Sequence, residues 1–248
     1  MTDQSMQFPR FYVTASSPCP YLDGHEERKV FTELSGKGAH ALNEALSRVG
    51  FRRSQSVAYR PACDHCNACI SVRVVANAFL PSKSMRRTGN RNADLQIFEE
   101  PAKITDEQFQ LLKAYLEDRH GDGGMASMDR QEFAEMVENS PIETMLVEYR
   151  LPPKADAPEN TEDRGQLVGV ALTDILSDGL SMVYSFFNTD MARRSLGTFI
   201  ILDHIQRAKR RGLRNVYLGY WIEKSPKMAY KCAFHPLEKL GAEGWKSM

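Results

Sequence analysis

Ser181-Met-Val-Tyr-Ser-Phe-Phe187, followed by the basic Ala192-Arg-Arg-Ser-Leu-Gly197, opens the stretch on which the fold turns. The heptapeptide has the β-branched and aromatic content of a strand, and the hexapeptide is a turn. Phe199, Ile200, Leu202, His204, Ile205 and Ala208 then recur at helical spacing, and Lys209-Arg-Arg-Gly212 ends the helix with cations and a glycine stop. Val216-Tyr-Leu-Gly-Tyr-Trp-Ile222 is a second apolar strand, and a segment dense in aromatics and lysines runs on to Trp245.

Upstream of that core the pattern is looser. Phe11–Thr14 is a short strand, and Cys19 lies in a turn-rich loop before Glu26–Leu34, which suits a strand or a short helix. His40–Val49 is a helix with Leu42, Ala45, Leu46 and Val49 on one face, stopped by Gly50. Ser56–Tyr59 and Ile70–Val75 read as strands around a cysteine cluster, and Ser82–Asn92 is basic and polar. Ile104–Arg119 is a helix that Thr105 can cap. A glycine-rich loop from His120 to Met125 and a short acidic helix, Asp129–Glu138, follow. Glu143–Leu151 and Gln166–Ile175 are strands joined by a polar, proline-rich loop from Pro152 to Gly165. The expected class is mixed α/β in two regions: residues 1–95, basic and cysteine-containing, and residues 96–248, a mixed-sheet core.

Lysine plus arginine equals aspartate plus glutamate at 32 each, so net charge points to no polyanion. The distribution does. Between Arg48 and Arg91 basic residues are opposed only by Asp64, and between Arg193 and Lys231 only by Asp203 and Glu223. Such blocks are either a solvated surface or a local contact with an RNA backbone. No apolar run has the length of a signal peptide or a membrane span, and the five cysteines do not form a secreted disulfide framework. A cytoplasmic protein is expected.

The strand–turn–helix–strand order resembles the acyltransferase fold of the N-acetyltransferase type, in which an activated acyl donor meets an amine. Its usual donor is acetyl-CoA, whose pyrophosphate rests on backbone amides at the helix start. Here Arg194-Ser-Leu-Gly197-Thr-Phe199 puts a bulky Phe199 where a small residue lets phosphate approach. That departure disfavours acetyl-CoA and suits an aminoacyl-tRNA ester. Ser195-Leu-Gly-Thr198, Tyr217-Leu-Gly-Tyr-Trp-Ile222, Ser225-Pro-Lys-Met-Ala-Tyr-Lys231 and Phe234-His-Pro-Leu-Glu238 together resemble the arginyl-tRNA–protein transferase family, its short bacterial branch in particular. The resemblance implies transfer of leucine from leucyl-tRNA to proteins beginning with Asp or Glu, marking them for the N-degron pathway; a monomer is expected. An arginyl-tRNA donor, an acetyl-CoA enzyme and a non-catalytic zinc- or RNA-binding module are the alternatives.

Transfer from an activated ester requires no cofactor; it requires positioning, proton removal and stabilisation of an oxyanion. The catalytic candidates are Tyr184 and Asp190 at the end of the first strand, and Tyr220, Lys227 and Tyr230 beyond the second. Arg52, Arg53, Arg86, Arg87, Arg193 and Arg194 are the candidates for tRNA. Arg60, Arg119 and His120 are the candidates for the acceptor's carboxylate. Cys63-Asp-His-Cys66-Asn-Ala-Cys69, with Cys19 as a distant fourth thiol, has spacing that suits zinc or an iron–sulfur cluster. Eukaryotic relatives carry Cys-x-x-Cys where this chain has Cys19-Pro-Tyr-Leu22. Reduced thiols that shape the N-terminal region are the competing reading.

Overall fold

A computed structural model describes residues 9–120, 127–153 and 163–248, apart from the side chain of His120. The strands and α-helices are, in chain order, β1 (Tyr12–Val13), β2 (Ser17–Pro18), β3 (Glu26–Glu27), β4 (Lys29–Glu33), α1 (Ala39–Arg48), β5 (Arg52–Ser54), β6 (Val57–Pro61), β7 (Ile70–Val75), α2 (Lys83–Arg91), β8 (Gln96–Pro101), α3 (Asp106–His120), α4 (Arg130–Glu138), β9 (Thr144–Arg150), β10 (Leu167–Leu176), β11 (Gly179–Phe187), α5 (Leu196–Arg210), β12 (Asn215–Trp221), α6 (Pro226–Ala229), β13 (Leu237–Gly241) and β14 (Gly244–Ser247). The class is mixed α/β, as expected.

An eight-stranded sheet in the order β14-β13-β7-β12-β11-β10-β9-β8 forms the core, beside a small β1-β4-β6-β5 sheet. β10 is buried along almost its whole length, which requires cover on both faces. Val168 and Ala171 join Ile200, Ile205 and Ala208 of α5 in one apolar cluster. Val170 and Leu172 join Leu112 and Leu116 of α3 and Phe133 and Val137 of α4 in another. The helical stripe read in α5 is the face that meets the sheet.

Most neighbours in the large sheet are antiparallel; β11 and β12, joined through α5, are parallel. β7 comes from the expected N-terminal region yet lies inside this sheet, between β12 and β13. One sheet therefore spans residue 95, and the two expected regions share a core. The basic stretch after Pro81 is helix α2, whose N-terminus is capped by the Ser82 hydroxyl accepting from the Met85 N–H at 3.3 Å. The Gly121–Met125 part of the glycine-rich loop lies outside the described residues, as does most of the loop between Pro152 and Gly165.

Candidate active site

β11 and β12 pair only over Gly179–Ser181 with Asn215–Tyr217. Past that point the strands part. The register of β12 against β7 slips between Tyr217 and Gly219, and Gly219 has φ 78°, so a bulge turns β12 away. Carbonyls of β11 lose their ladder partner on that side and need another. Arg52 of β5 supplies it: Nη2 donates to the Met182 carbonyl at 2.6 Å and to that of Val183 at 3.3 Å. Position 219 favours glycine, because φ 78° is strained for an L-residue and a Cβ there would stand 1.8 Å from Arg52 Nη1 and push that guanidinium aside. Nη1 itself is buried with no hydrogen-bond partner among the described residues.

Lys231 follows α6 in a short 3-10 turn and is 6% exposed. Its ammonium donates to the Tyr220 carbonyl at 2.6 Å. Burial first, and the Arg52 charge second, bring it down to about 7 from its ordinary value of 10.5. Tyr184 of β11 flanks the parting. Its hydroxyl is buried and unbonded among the described residues, its ring lies edge-on to Tyr115 of α3 at 6.5 Å, and burial raises its pKa. Tyr230 is 49% exposed, within electrostatic reach of Tyr115 and Arg52. Donors and aromatic rings thus gather at the edge where β11 and β12 separate.

The other expected catalytic residues fall in different places. Asp190 and Lys227 are exposed, on the segments that leave β11 and β12. Tyr220 is buried, and its hydroxyl donates to the Gly50 carbonyl at 3.0 Å with that of Tyr59 3.1 Å away. Its phenol ties β12 to the small sheet, which leaves it no free proton for chemistry. Tyr217, on the other face, donates to Asp178 at 2.8 Å and accepts from Arg73 at 3.0 Å.

The six arginines expected to meet tRNA divide in three. Arg53 is buried, 4% exposed, with Nε and Nη2 on the two Asp174 carboxylate oxygens at 2.8 and 2.7 Å. It faces inward and meets no RNA, because burying Arg53 needs the Asp174 charge beside it. Arg52 also points inward, at the strand parting. Arg86, Arg87 and Arg193 are exposed, and Arg194 is held by Asp94 through two bonds of 2.8 Å. The Arg91 side chain donates to the Arg193 carbonyl, and Asn92 donates to that of Arg194 at 2.8 Å. These bonds fasten α2 to the turn before α5, so cations from the two basic blocks share one surface.

Of the acceptor candidates, Arg60 is exposed and its charge reaches Tyr220. Arg119 is exposed beside Asp118, 3.5 Å away, and its charge reaches Tyr115. The side chain of His120 lies outside the described residues. Burial, then the thiols of Cys19, Cys63 and Cys66, push the Cys69 thiol up to about 12. Cys19, Cys63 and Cys66 therefore each stand within electrostatic reach of Cys69. Among the described residues, however, no three His, Cys, Asp or Glu side chains are arranged to hold a metal ion, and no step below passes through one.

The bulky residue in the helix-start loop also has a place. Phe199 packs against Tyr149 with ring centres 5.9 Å apart, and Ser195 enters α5 in the left-handed region at φ 53°. Phe199 is committed to the core, and the loop lacks the small-residue lining of a phosphate cradle.

The sequence over residues 17–87 matches the family model "Arginine-tRNA-protein transferase, N terminus", and residues 107–241 match "Arginine-tRNA-protein transferase, C terminus". An aspartate/glutamate leucyltransferase from Sphingopyxis alaskensis is 57% identical over 96% of this chain and 91% of its own. One from Nitrobacter hamburgensis is 56% identical over 99% and 94%. Among solved structures, FemX overlaps 78% of this chain and 63% of its own at 11% identity and TM-score 0.47. L-PGS from Bacillus licheniformis overlaps 62% and 46% at 13% identity and TM-score 0.47. Matched by both halves of the family and by relatives along nearly its full length, the chain belongs to the arginine-tRNA–protein transferase family.

Proposed function

We propose that this protein transfers leucine from leucyl-tRNA to the α-amine of proteins whose first residue is Asp or Glu. The observation that carries the reaction class is the parted edge of β11, where Arg52 and Tyr184 hold buried donors without a partner. The substrates follow from relatives named aspartate/glutamate leucyltransferase at 57% and 56% identity.

In the reaction the amine nitrogen attacks the ester carbonyl carbon, the bond to the tRNA ribose oxygen breaks, and an amide forms. That oxygen leaves with a proton, and the attacking nitrogen gives one up. The ester is already activated, so the step consumes no ATP and requires no cofactor. A free α-amine titrates near 8, so a strong base is not required and positioning carries much of the rate. The Tyr184 hydroxyl is the donor we assign to the developing oxyanion. Tyr230, Lys227 and Asp190 line the approach, where the terminal adenine stacks and its phosphate meets the lysine. Arg86, Arg87 and Arg193 hold the tRNA backbone. Arg60 and Arg119, exposed at the approaches, draw an acidic N-terminus in.

An acetyl-CoA donor is disfavoured by the packing of Phe199 against Tyr149. No helix among the described residues is long and apolar enough to cross a membrane. With tRNA as donor, we place the reaction in the cytoplasm, and we propose that a monomer carries it out. The test is to incubate the protein with an Asp-starting peptide and a full mixture of charged tRNAs, without ATP, and to weigh the product. The expected gain is one leucine, abolished by ribonuclease. A gain of arginine, or leucine taken up without tRNA, overturns the reading.

A further inference from the structure

We infer that Arg52 and Lys231 together form the pocket that binds the side-chain carboxylate of the acceptor's first residue. The inference rests on the transfer reading above and names the group that reads its substrate. Elsewhere, buried cations are matched by acids. Arg53 meets Asp174 at 2.7 Å, Arg73 meets Glu238 at 2.7 Å, Arg150 meets Glu148 at 2.8 Å and Arg207 meets Asp203 at 3.1 Å. Arg52 and Lys231 have no carboxylate within ion-pair distance among the described residues; their bonds go to carbonyls. Lys231 is buried, Arg52 is half-buried with its Nη1 shut off from solvent, and their charges act on each other; such a pair without an anion is an incomplete set, because an unpaired buried charge costs several kcal/mol. The deficit is visible in the lowered affinity of Lys231 for its proton and in the unbonded Nη1 of Arg52.

Their place in the fold suits a carboxylate. The α-amine must reach the ester at the parting of β11 and β12. In an aspartyl or glutamyl N-terminus the side-chain carboxylate lies about 3 to 5 Å from that nitrogen. Its counter-charge therefore belongs at the parting itself, where Arg52 crosses from β11 to Gly219. Exposed Arg60 and Arg119 give long-range attraction, but solvent screens them too well to reject an uncharged residue. A site with buried, unpaired donors rejects a ligand that leaves them unpaired by several orders of magnitude. Asn or Gln in place of Asp or Glu would offer one accepting oxygen instead of two, turn an NH2 toward a donor and leave both charges uncompensated.

The experiment compares peptides that begin with Asp and with Asn. Calorimetric binding to the wild-type protein needs no transfer, and the Asp peptide is expected to bind at least tenfold tighter. In Lys231→Met the preference should fall at least tenfold. With leucyl-tRNA saturating, the KM for the Asp peptide should rise at least tenfold with kcat within threefold of wild type. The melting temperature should shift by only a few degrees, since the change removes an unmatched buried charge along with the donor to the Tyr220 carbonyl. If Lys231→Met does not fold, Lys231→Gln, which is neutral but keeps a donor for the Tyr220 carbonyl, takes its place with the same expectations. Equal wild-type affinity for the two peptides overturns the pocket. A fall in kcat with KM unchanged also overturns it, and reassigns the pair to the ester carbonyl. Tight, Asp-selective binding without leucine transfer would instead keep the pocket and reject the proposed reaction.

Discussion

Arg52 and Gly219 are a matched pair, and each explains the other. The guanidinium satisfies the carbonyls that β11 loses when β12 turns away, and it can lie there only because residue 219 has no side chain. Gly219→Ala would place a methyl group 1.8 Å from Nη1 and hold an L-residue at φ 78°. We expect a loss of about 2–4 kcal/mol in urea denaturation, from strain and displaced hydrogen bonds together. Transfer activity should fall at least tenfold. A variant within about 0.5 kcal/mol of wild type and fully active would mean that Arg52 moves aside cheaply and that its position is incidental. This pairing is illegible in the sequence, where the partners lie far apart and Tyr217-Leu-Gly-Tyr-Trp reads only as a motif. The lysines of Ser225–Lys231 pose the same problem. Only three residues separate Lys227 from Lys231, and no local pattern shows that the first is exposed and the second 6% exposed. Burial there is set by Tyr220 on the preceding strand and by Arg52, which is distant in the chain.

At the scale of elements, the apolar stripe of α5 is legible in the sequence, and its contact with β10 carries a buried histidine that makes it sensitive to acid. His204 sits on the buried face of α5, its Nδ1–H donating to the Ile200 carbonyl at 2.8 Å and its Nε2 accepting from the Thr173 hydroxyl at 2.8 Å. Burial lowers its pKa below the ordinary 6.5, so the native state holds it neutral. Between the folded and unfolded values the unfolded chain binds more protons. Stability from this group is therefore present above about 6.5 and is lost as pH falls through the folded value. Urea denaturation should show decreasing stability from pH 7.5 to 5.5, and His204→Gln should flatten that slope. An identical slope in the variant would assign the acid sensitivity elsewhere. The apolar stripe of α5 and the strands beside it were legible because their periods are imposed by burial on this sheet. Helix α2 was not, since among its nine residues only Met85 and Thr88 are buried. Nor were β8, an edge strand with alternately exposed residues, and the β13–β14 hairpin, which is ordered by pairing with β7. β7 also shows why composition suggested two regions where one sheet runs through both.

At the scale of the molecule, a chain of zero formal net charge presents a basic surface because folding brings two segments together. α2 contributes Arg86 and Arg87, the turn before α5 contributes Arg193, and hydrogen bonds from Arg91 and Asn92 hold the two segments in place. Composition located both blocks but could not separate the arginines within them. Arg53 and Arg194 have their charges met by Asp174 and Asp94, which leaves them little to offer a phosphate. The exposed arginines differ, because their counter-ions come from solution. If they bind tRNA, each phosphate contact releases condensed cations and adds about 0.7 to 0.9 to the slope of log affinity against log salt. Replacing Arg86 and Arg87 together by Gln should weaken leucyl-tRNA binding at low salt. The slope should become shallower by roughly 1.4 to 1.8 if both make such contacts. The melting temperature and the acceptor KM should stay near wild type, because neither side chain is buried or near the parted strands. Arg53→Gln is the control with the opposite signature, since it strands Asp174 in the interior and should cost about 3–5 kcal/mol of stability. A double Arg86/Arg87 variant with an unchanged salt slope would move the tRNA path off α2, to Arg193 and the lysines beyond β12.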